Sequence, residues 1–301
     1  MEGAYLFGVL LALSAAFCSA IGSLLIRLGS DEGDMNHAVF ITLSVNCIIL
    51  LPIVVIIYYP AYGLNNVSIA SFAAAGIASS LLARLFRFKS IERIGASRTE
   101  PIFATWALVA TILGILFLGE TLTVMHGLGI LLVITGVTFL TWVTSKDNSE
   151  NLTRRELVTS LVFPFAAAFS VGWEPIFANF GLDSGTPAPV GLVIKTVAAL
   201  LGLLVYLRMR GTLPLRKIRD SSSTRWFGLA GVAFTGSLLC YYYGLQVAPV
   251  NIIAPIFATN TLFVVLLSLF FMPSRLERVT WPIVVAVSIV VSGVIIVSIS
   301  G

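Results

Sequence analysis

With 301 residues, of which 58% are hydrophobic and 11% charged, and a mean hydropathy of +1.00, the chain is excluded from the water-soluble globular class, where about 25% of residues are charged. Its net charge of +4 does not point to a nucleic-acid partner, because the basic residues follow a membrane topology instead.

Apolar stretches of about twenty residues recur from end to end, the length that carries a helix across a hydrocarbon core. Lipid leaves exposed backbone groups unsatisfied, and the alternation of an outer-membrane barrel is missing, so helix is the expected state. Ten spans are expected, at approximately 5–27, 38–59, 68–91, 95–118, 122–144, 156–180, 187–208, 225–247, 250–272 and 279–300. The first has no basic leading region and is too long for a signal peptide, so it reads as a retained span. Cys18, Cys47 and Cys240 fall inside spans with neither paired nor metal-ligand spacing and read as small buried hydrophobes.

The spans fall into two related halves. Pro101-Ile102-Phe103-Ala104-Thr105 recurs as Pro255-Ile256-Phe257-Ala258-Thr259, and Ala15-Ala16-Phe17 as Ala167-Ala168-Phe169. The spacing from Glu120 to Gly136-Val137 returns from Glu277 to Gly293-Val294. Residues 1–145 and 156–301 are the two repeats, joined by a polar linker over 146–155. Five spans per half is an odd number, so the second half enters the membrane inverted relative to the first. The expected fold class is therefore an all-α integral membrane protein of ten transmembrane helices, built as two inverted five-helix repeats.

Arginine and lysine gather on one side, at Arg27, Arg93, Arg98, Lys146, Arg154, Arg155, Arg208, Arg210, Arg216, Lys217, Arg219, Arg225, Arg275 and Arg278. The loops on the opposite side, which carries both termini, have none. The positive-inside rule makes the basic side cytoplasmic and both termini extracytoplasmic.

A few polar residues inside the spans could carry chemistry. Arg84 and Arg87 lie three apart in span 3 and so share one helical face. Two readings stand: the pair snorkels to the interface, or Arg84 faces a cavity as ionisable groups at depth do. Lys195, alone in the far third of span 7, either pairs with an internal carboxylate or contacts substrate. Glu174 stands beside Pro175 near the middle of span 6, where the proline invites a kink. It suits a proton carrier, a gate or an ion-pair partner of Lys195. Glu100, before Pro101, either caps a helix N-terminus or lies inside near Arg84. Glu120 is expected to cap the start of span 5. Trp106, Trp173, Tyr242 and Asn260 are candidate cavity walls, and Asn260 occupies in the second half the place of Trp106 in the first. Pro101, Pro175 and Pro255 are the expected hinges. His37 and His126 make no metal pattern, and no metal or cofactor is expected.

The run Ser90-Ile91-Glu92-Arg93-Ile94-Gly95-Ala96-Ser97-Arg98, then Pro101-Ile102-Phe103, Leu118-Gly119-Glu120, Gly129 and Gly136-Val137, resembles the EamA-type group of the drug/metabolite transporter superfamily. Leu245 to Pro255, Glu277 and Gly293-Val294 repeat it more weakly. The resemblance implies a ten-helix inverted-repeat carrier with a central cavity and an alternating-access cycle. It departs in two places: Phe271-Met272-Pro273-Ser274-Arg275 replaces a Leu-Gly-Glu in the second half, and the family usually keeps both termini in the cytoplasm.

The expected function is a secondary transporter that moves a small polar or anionic metabolite across the plasma membrane. Arg84, with Arg87 or Lys195 in support, would neutralise the substrate, and Glu174 would couple to protons or gate. Partners are a small-molecule substrate and the lipid bilayer, with no nucleic acid. The alternative is a flippase for a lipid-linked phosphate or headgroup. An intramembrane enzyme lacks a water-activating set such as His-Glu-x-x-His or paired aspartates. A receptor-like bundle would have no aqueous cavity.

Overall fold

The computed structural model describes residues 2–29, 35–94, 99, 102–144, 160–211, 222–271 and 281–299. The expected linker over 146–155, together with Glu100 and Pro101, lies outside the described residues. Within them the chain is helical and contains no strand. In chain order the first half contributes α1 (Glu2–Gly29), α2 (Met35–Tyr58), α3 (Asn66–Ala75), a π-helical turn (Gly76–Leu82), α4 (Ala83–Ile94), α5 (Trp106–Leu118) and α6 (Val124–Thr144). The second contributes α7 (Val162–Gly172), α8 (Glu174–Asp183), α9 (Ala188–Met209), α10 (Ser222–Val247), α11 (Val250–Ala258), α12 (Asn260–Phe271) and α13 (Trp281–Ile299). Spans 3, 6 and 9 are each made of consecutive helical pieces, and the pieces assemble into two five-helix repeats.

Each span packs mainly against the other half. The α1 and α2 helices run against α10, with α2 also against α9; α4 and α5 run against α7, with α5 also against α11; and α6 runs against α13. Lipid tails are as apolar as leucine, so close packing, more than escape from water, holds such pairs together. Small residues make it possible. A Cβ added to Gly293 would lie 2.7 Å from the Val133 amide nitrogen and 2.8 Å from the Gly129 carbonyl oxygen. The glycines that mark both repeats in the sequence are thus the surface through which α6 and α13 touch backbone to backbone.

Local signals explain where the pieces begin and end. Asn65 caps α3: its Oδ1 accepts from the Ser68 amide at 2.7 Å while Ser68 Oγ accepts from the Asn65 amide at 3.1 Å. Asn65 Nδ2 also donates to the Ser184 carbonyl at 3.1 Å, tying this loop to the end of α8. At the other end of α5, Gly119 adopts φ +67°, the left-handed conformation that closes helices. The α8 helix starts with Glu174 and Pro175 in its first turn, where a missing N–H is harmless and a carboxylate is favoured.

The repeated pentapeptide makes the same turn twice. Thr105 Oγ1 donates to the Ile102 carbonyl at 2.6 Å, and Thr259 Oγ1 to the Ile256 carbonyl at 2.6 Å. The backbone amides of the two threonines reach the same carbonyls, each at 3.1 Å. The helix therefore continues through Pro255 and turns at Thr259, four residues beyond the expected hinge. Proline removes an i→i−4 bond, and the break follows where the threonine hydroxyl offers the backbone another partner.

Candidate functional site

Both halves wall a cavity of about 210 Å³. The π-helical turn brings Ser79 and Ser80 to its wall, and α4 adds Arg84 one turn later. Thr42 and Asn46 come from α2, Ser19 from α1, Trp106 from the start of α5, Glu174 and Pro175 from α8, and Lys195 and Thr196 from α9. Phe234, Ser237 and Tyr241 of α10 and Phe257 of α11 complete the side given by the second half.

Three ionisable side chains of opposite kinds meet here. Lys195 Nζ donates to Glu174 Oε1 in an ion pair whose side chains are 5% and 13% exposed. The ammonium also sits over the Tyr242 ring, 5.0 Å from its centroid. Arg84 has a different environment: its Nη1 is buried and has no hydrogen-bond partner among the described residues. A charged group inside an apolar span costs about 2.5–3.5 kcal/mol on insertion scales, which makes the open Arg84 nitrogen a candidate contact for a ligand.

The cavity lies midway along the spans. Thr42, Asn46 and Phe234 belong to the halves of their helices nearer the basic loops, whereas Lys195 and Tyr241 belong to the halves toward the other end. Beyond the Lys195–Glu174 pair, Phe72 is fully buried and stacked on Tyr242 at 6.3 Å between centroids. A Cβ on Gly191 would come within 2.2 Å of the Phe72 ring, and one on Gly181 within 2.5 Å. The ring fills the gap between α3, α8 and α9 and closes that end.

Glu120 adds a second closure at the same end, and it corrects an expectation. The start of α6 is served by Thr123, whose Oγ1 accepts from the His126 amide at 3.2 Å. The Glu120 carboxylate instead crosses to the other half, where it accepts from the Val250 amide at 2.6 Å and the Asn251 amide at 2.9 Å. Those are the first N–H groups of α11, which follows Pro249 and has no side-chain cap of its own. Burial pushes the Glu120 carboxyl up from its ordinary value, and the two backbone donors pull it partly back.

The remaining sequence candidates occupy different positions. Arg87 lies over the Phe103 ring at 4.5 Å. Trp173 sits in the turn between α7 and α8 within an aromatic cluster, 4.9 Å from Phe117 and 5.2 Å from Phe177. The Tyr242 ring lies under the Lys195 ammonium and on the Phe72 ring, and its buried hydroxyl has no hydrogen-bond partner among the described residues. Asn260 Nδ2 donates to Ser19 Oγ at 3.4 Å. Pro175 is on the cavity wall and Pro255 is buried inside α11, while Glu100 and Pro101 are outside the described residues.

Sequence reasoning chose Tyr242 from the run Tyr241-Tyr242-Tyr243, whereas Tyr241 is the tyrosine on the cavity wall, 4.7 Å from Phe257. That reasoning overlooked Asn46, whose amide, with its nitrogen turned inward, donates to the Thr42 and Gly231 carbonyls at 3.0 and 2.9 Å and links α2 to α10. A lone amide inside an apolar span was the available signal.

The family described as the EamA-like transporter family matches this chain over residues 6–142 and 158–299, one match for each half. No match is found among the curated proteins. A solved crystal structure of a protein 12% identical in sequence superposes with a TM-score of 0.79, covering 97% of this chain and 96% of the other, which establishes the likeness of fold. The five helices of each half, the family match across both, and a cavity between them converge on one assignment: the chain is a multi-pass membrane protein that belongs to the EamA-like transporter family.

Proposed function

We propose that this protein is a secondary carrier that moves a small polar or anionic metabolite across the plasma membrane by alternating access. The observation that carries the reading is Arg84, a buried guanidinium with a nitrogen unpartnered among the described residues, on the wall of a cavity to which both halves contribute. Rocking of the halves would expose this site to each side in turn. In this reading Lys195–Glu174, Phe72 and Glu120 form the closure at the end away from the basic loops. Glu174 would act as gate or proton carrier, because its release from Lys195 removes the pair nearest the closure.

The test is uptake into proteoliposomes. Arg84→Ala and Glu174→Ala should each abolish transport while the protein still purifies as a monodisperse species. Wild-type rates from both would end the site assignment. The charge bias supports a cytoplasmic basic face and extracytoplasmic termini. An epitope at either terminus should then be reached by antibody in intact cells, and a signal seen only after permeabilisation would reverse the orientation.

A further inference from the structure

Resting on the carrier reading, we infer that the substrate is a compact monocarboxylate bearing one flat unsaturated ring. The charge balance of the cavity comes first. Among the described residues its wall carries the charges of Arg84, Lys195 and Glu174, and the last two neutralise each other. One positive charge remains, so a single negative charge on the ligand leaves the low-dielectric site neutral, whereas a dianion or a cation leaves it charged.

Donor supply comes second. The hydroxyls of Thr42, Ser79, Thr196 and Ser237 donate to the carbonyls of Val39, Ala75, Leu192 and Ala15 at 3.0, 2.9, 2.6 and 2.8 Å. Their protons are spent on backbone. Arg84 supplies an open, charged donor, and a guanidinium matches the two oxygens of one carboxylate.

Shape comes third. Trp106 packs edge-on against Phe257 at 6.0 Å, and Phe257 lies 4.7 Å from Tyr241, so three aromatic rings form a continuous wall on the cavity. Flat rings stack favourably on such a wall. The volume of about 210 Å³ is below the roughly 300–1,000 Å³ of drug-sized sites, which limits the ligand to one ring on a short arm.

The experiment measures binding and translocation separately with purified protein. Thermal stabilisation is titrated with 3-phenylpropionate, its neutral amide, phenyl phosphate, phenylalanine and hexanoate, and counterflow of labelled 3-phenylpropionate is followed in proteoliposomes. The expected result is saturable stabilisation by 3-phenylpropionate, with the other four weaker by about tenfold or more. Arg84→Gln should remove the preference for the carboxylate over the amide. Trp106→Leu, which keeps the arginine, should remove the preference for the ring over hexanoate. If Arg84→Gln fails to fold, the Trp106 variant and the wild-type panel still decide. Equal or tighter binding of the amide, phenyl phosphate, phenylalanine or hexanoate overturns the substrate class and leaves the carrier reading standing. Tight, selective binding of 3-phenylpropionate without counterflow supports the class and overturns the carrier reading. No saturable binding of any of the five overturns the class.

Discussion

Thr105 and Thr259 hold the same turn in the two halves, each hydroxyl donating to the carbonyl three residues earlier at 2.6 Å. Each is followed at once by the residue that begins the next helical piece, Trp106 in one half and Asn260 in the other. The turn thus places the residue in which the halves differ at equivalent points beside the cavity. Trp106 is on the cavity wall, and Asn260 reaches Ser19 of that wall.

Replacing either threonine by valine keeps its shape and removes the hydroxyl. Each substitution should lower stability by about 1 kcal/mol. The double variant Thr105→Val/Thr259→Val should slow transport more than either single change if the turns flex during the cycle. Transport rates equal to wild type in the double variant, at equal protein in the bilayer, would show that the turns are static.

The Lys195–Glu174 pair gives an asymmetric expectation. Removing one member leaves a buried charge without its partner, so Glu174→Gln should destabilise by about 3–5 kcal/mol. Replacing both, as Lys195→Met/Glu174→Leu, should recover most of that loss while transport stays absent. Apparent melting temperatures of the three proteins in detergent decide the matter. A double variant less stable than Glu174→Gln would contradict the pairing.

Glu120 predicts a dependence on pH at the face opposite the basic one. Its folded-state pKa is raised by burial against the backbone donors of Asn251 and Val250. A raised pKa means that the folded protein binds the proton more tightly than the unfolded chain. This contribution to stability is fully present below the ordinary carboxylate pKa and is lost as pH rises through the raised one. Asp183 lines the same vestibule, so the comparison must be made against Glu120→Gln. The wild type should lose stability relative to that variant as pH rises across this window. Parallel curves would remove Glu120 as the source. The same substitution weakens the cap on α11, by about 1 kcal/mol, and should increase labelling of a cysteine placed at Ala248 from that face.

Gly76 tests how the π-helical turn meets α9. A Cβ there would lie 2.2 Å from the Lys195 carbonyl oxygen, a backbone atom that cannot swing aside. Gly76→Ala should therefore shift α9 and cost about 1–3 kcal/mol by overpacking. Because the shift carries Lys195 with it, transport should fall along with stability. Gly127→Ala, where the added methyl meets open space, is the control. Equal melting temperatures for the two variants would mean that the packing is looser than described.

The sequence alone determined the class of fold. Hydropathy, the repeated pentapeptide and the odd number of spans per half are local or periodic properties, and lipid forces the backbone of such spans into helix. It also singled out Arg84, Lys195 and Glu174, because a charge inside an apolar span is conspicuous wherever its partner lies. Contacts between distant segments were decided only by the tertiary structure. Glu120 looked like the cap of the helix that follows it, yet Val250 and Asn251, far away in the chain, present their free N–H groups at hydrogen-bonding distance. Tyr241 and Tyr242 are neighbours of identical composition, and only the rotation of α10 against its partners sends one to the cavity and the other behind Lys195. Pairing between spans depends on which surfaces pack backbone to backbone, and that choice is made in three dimensions.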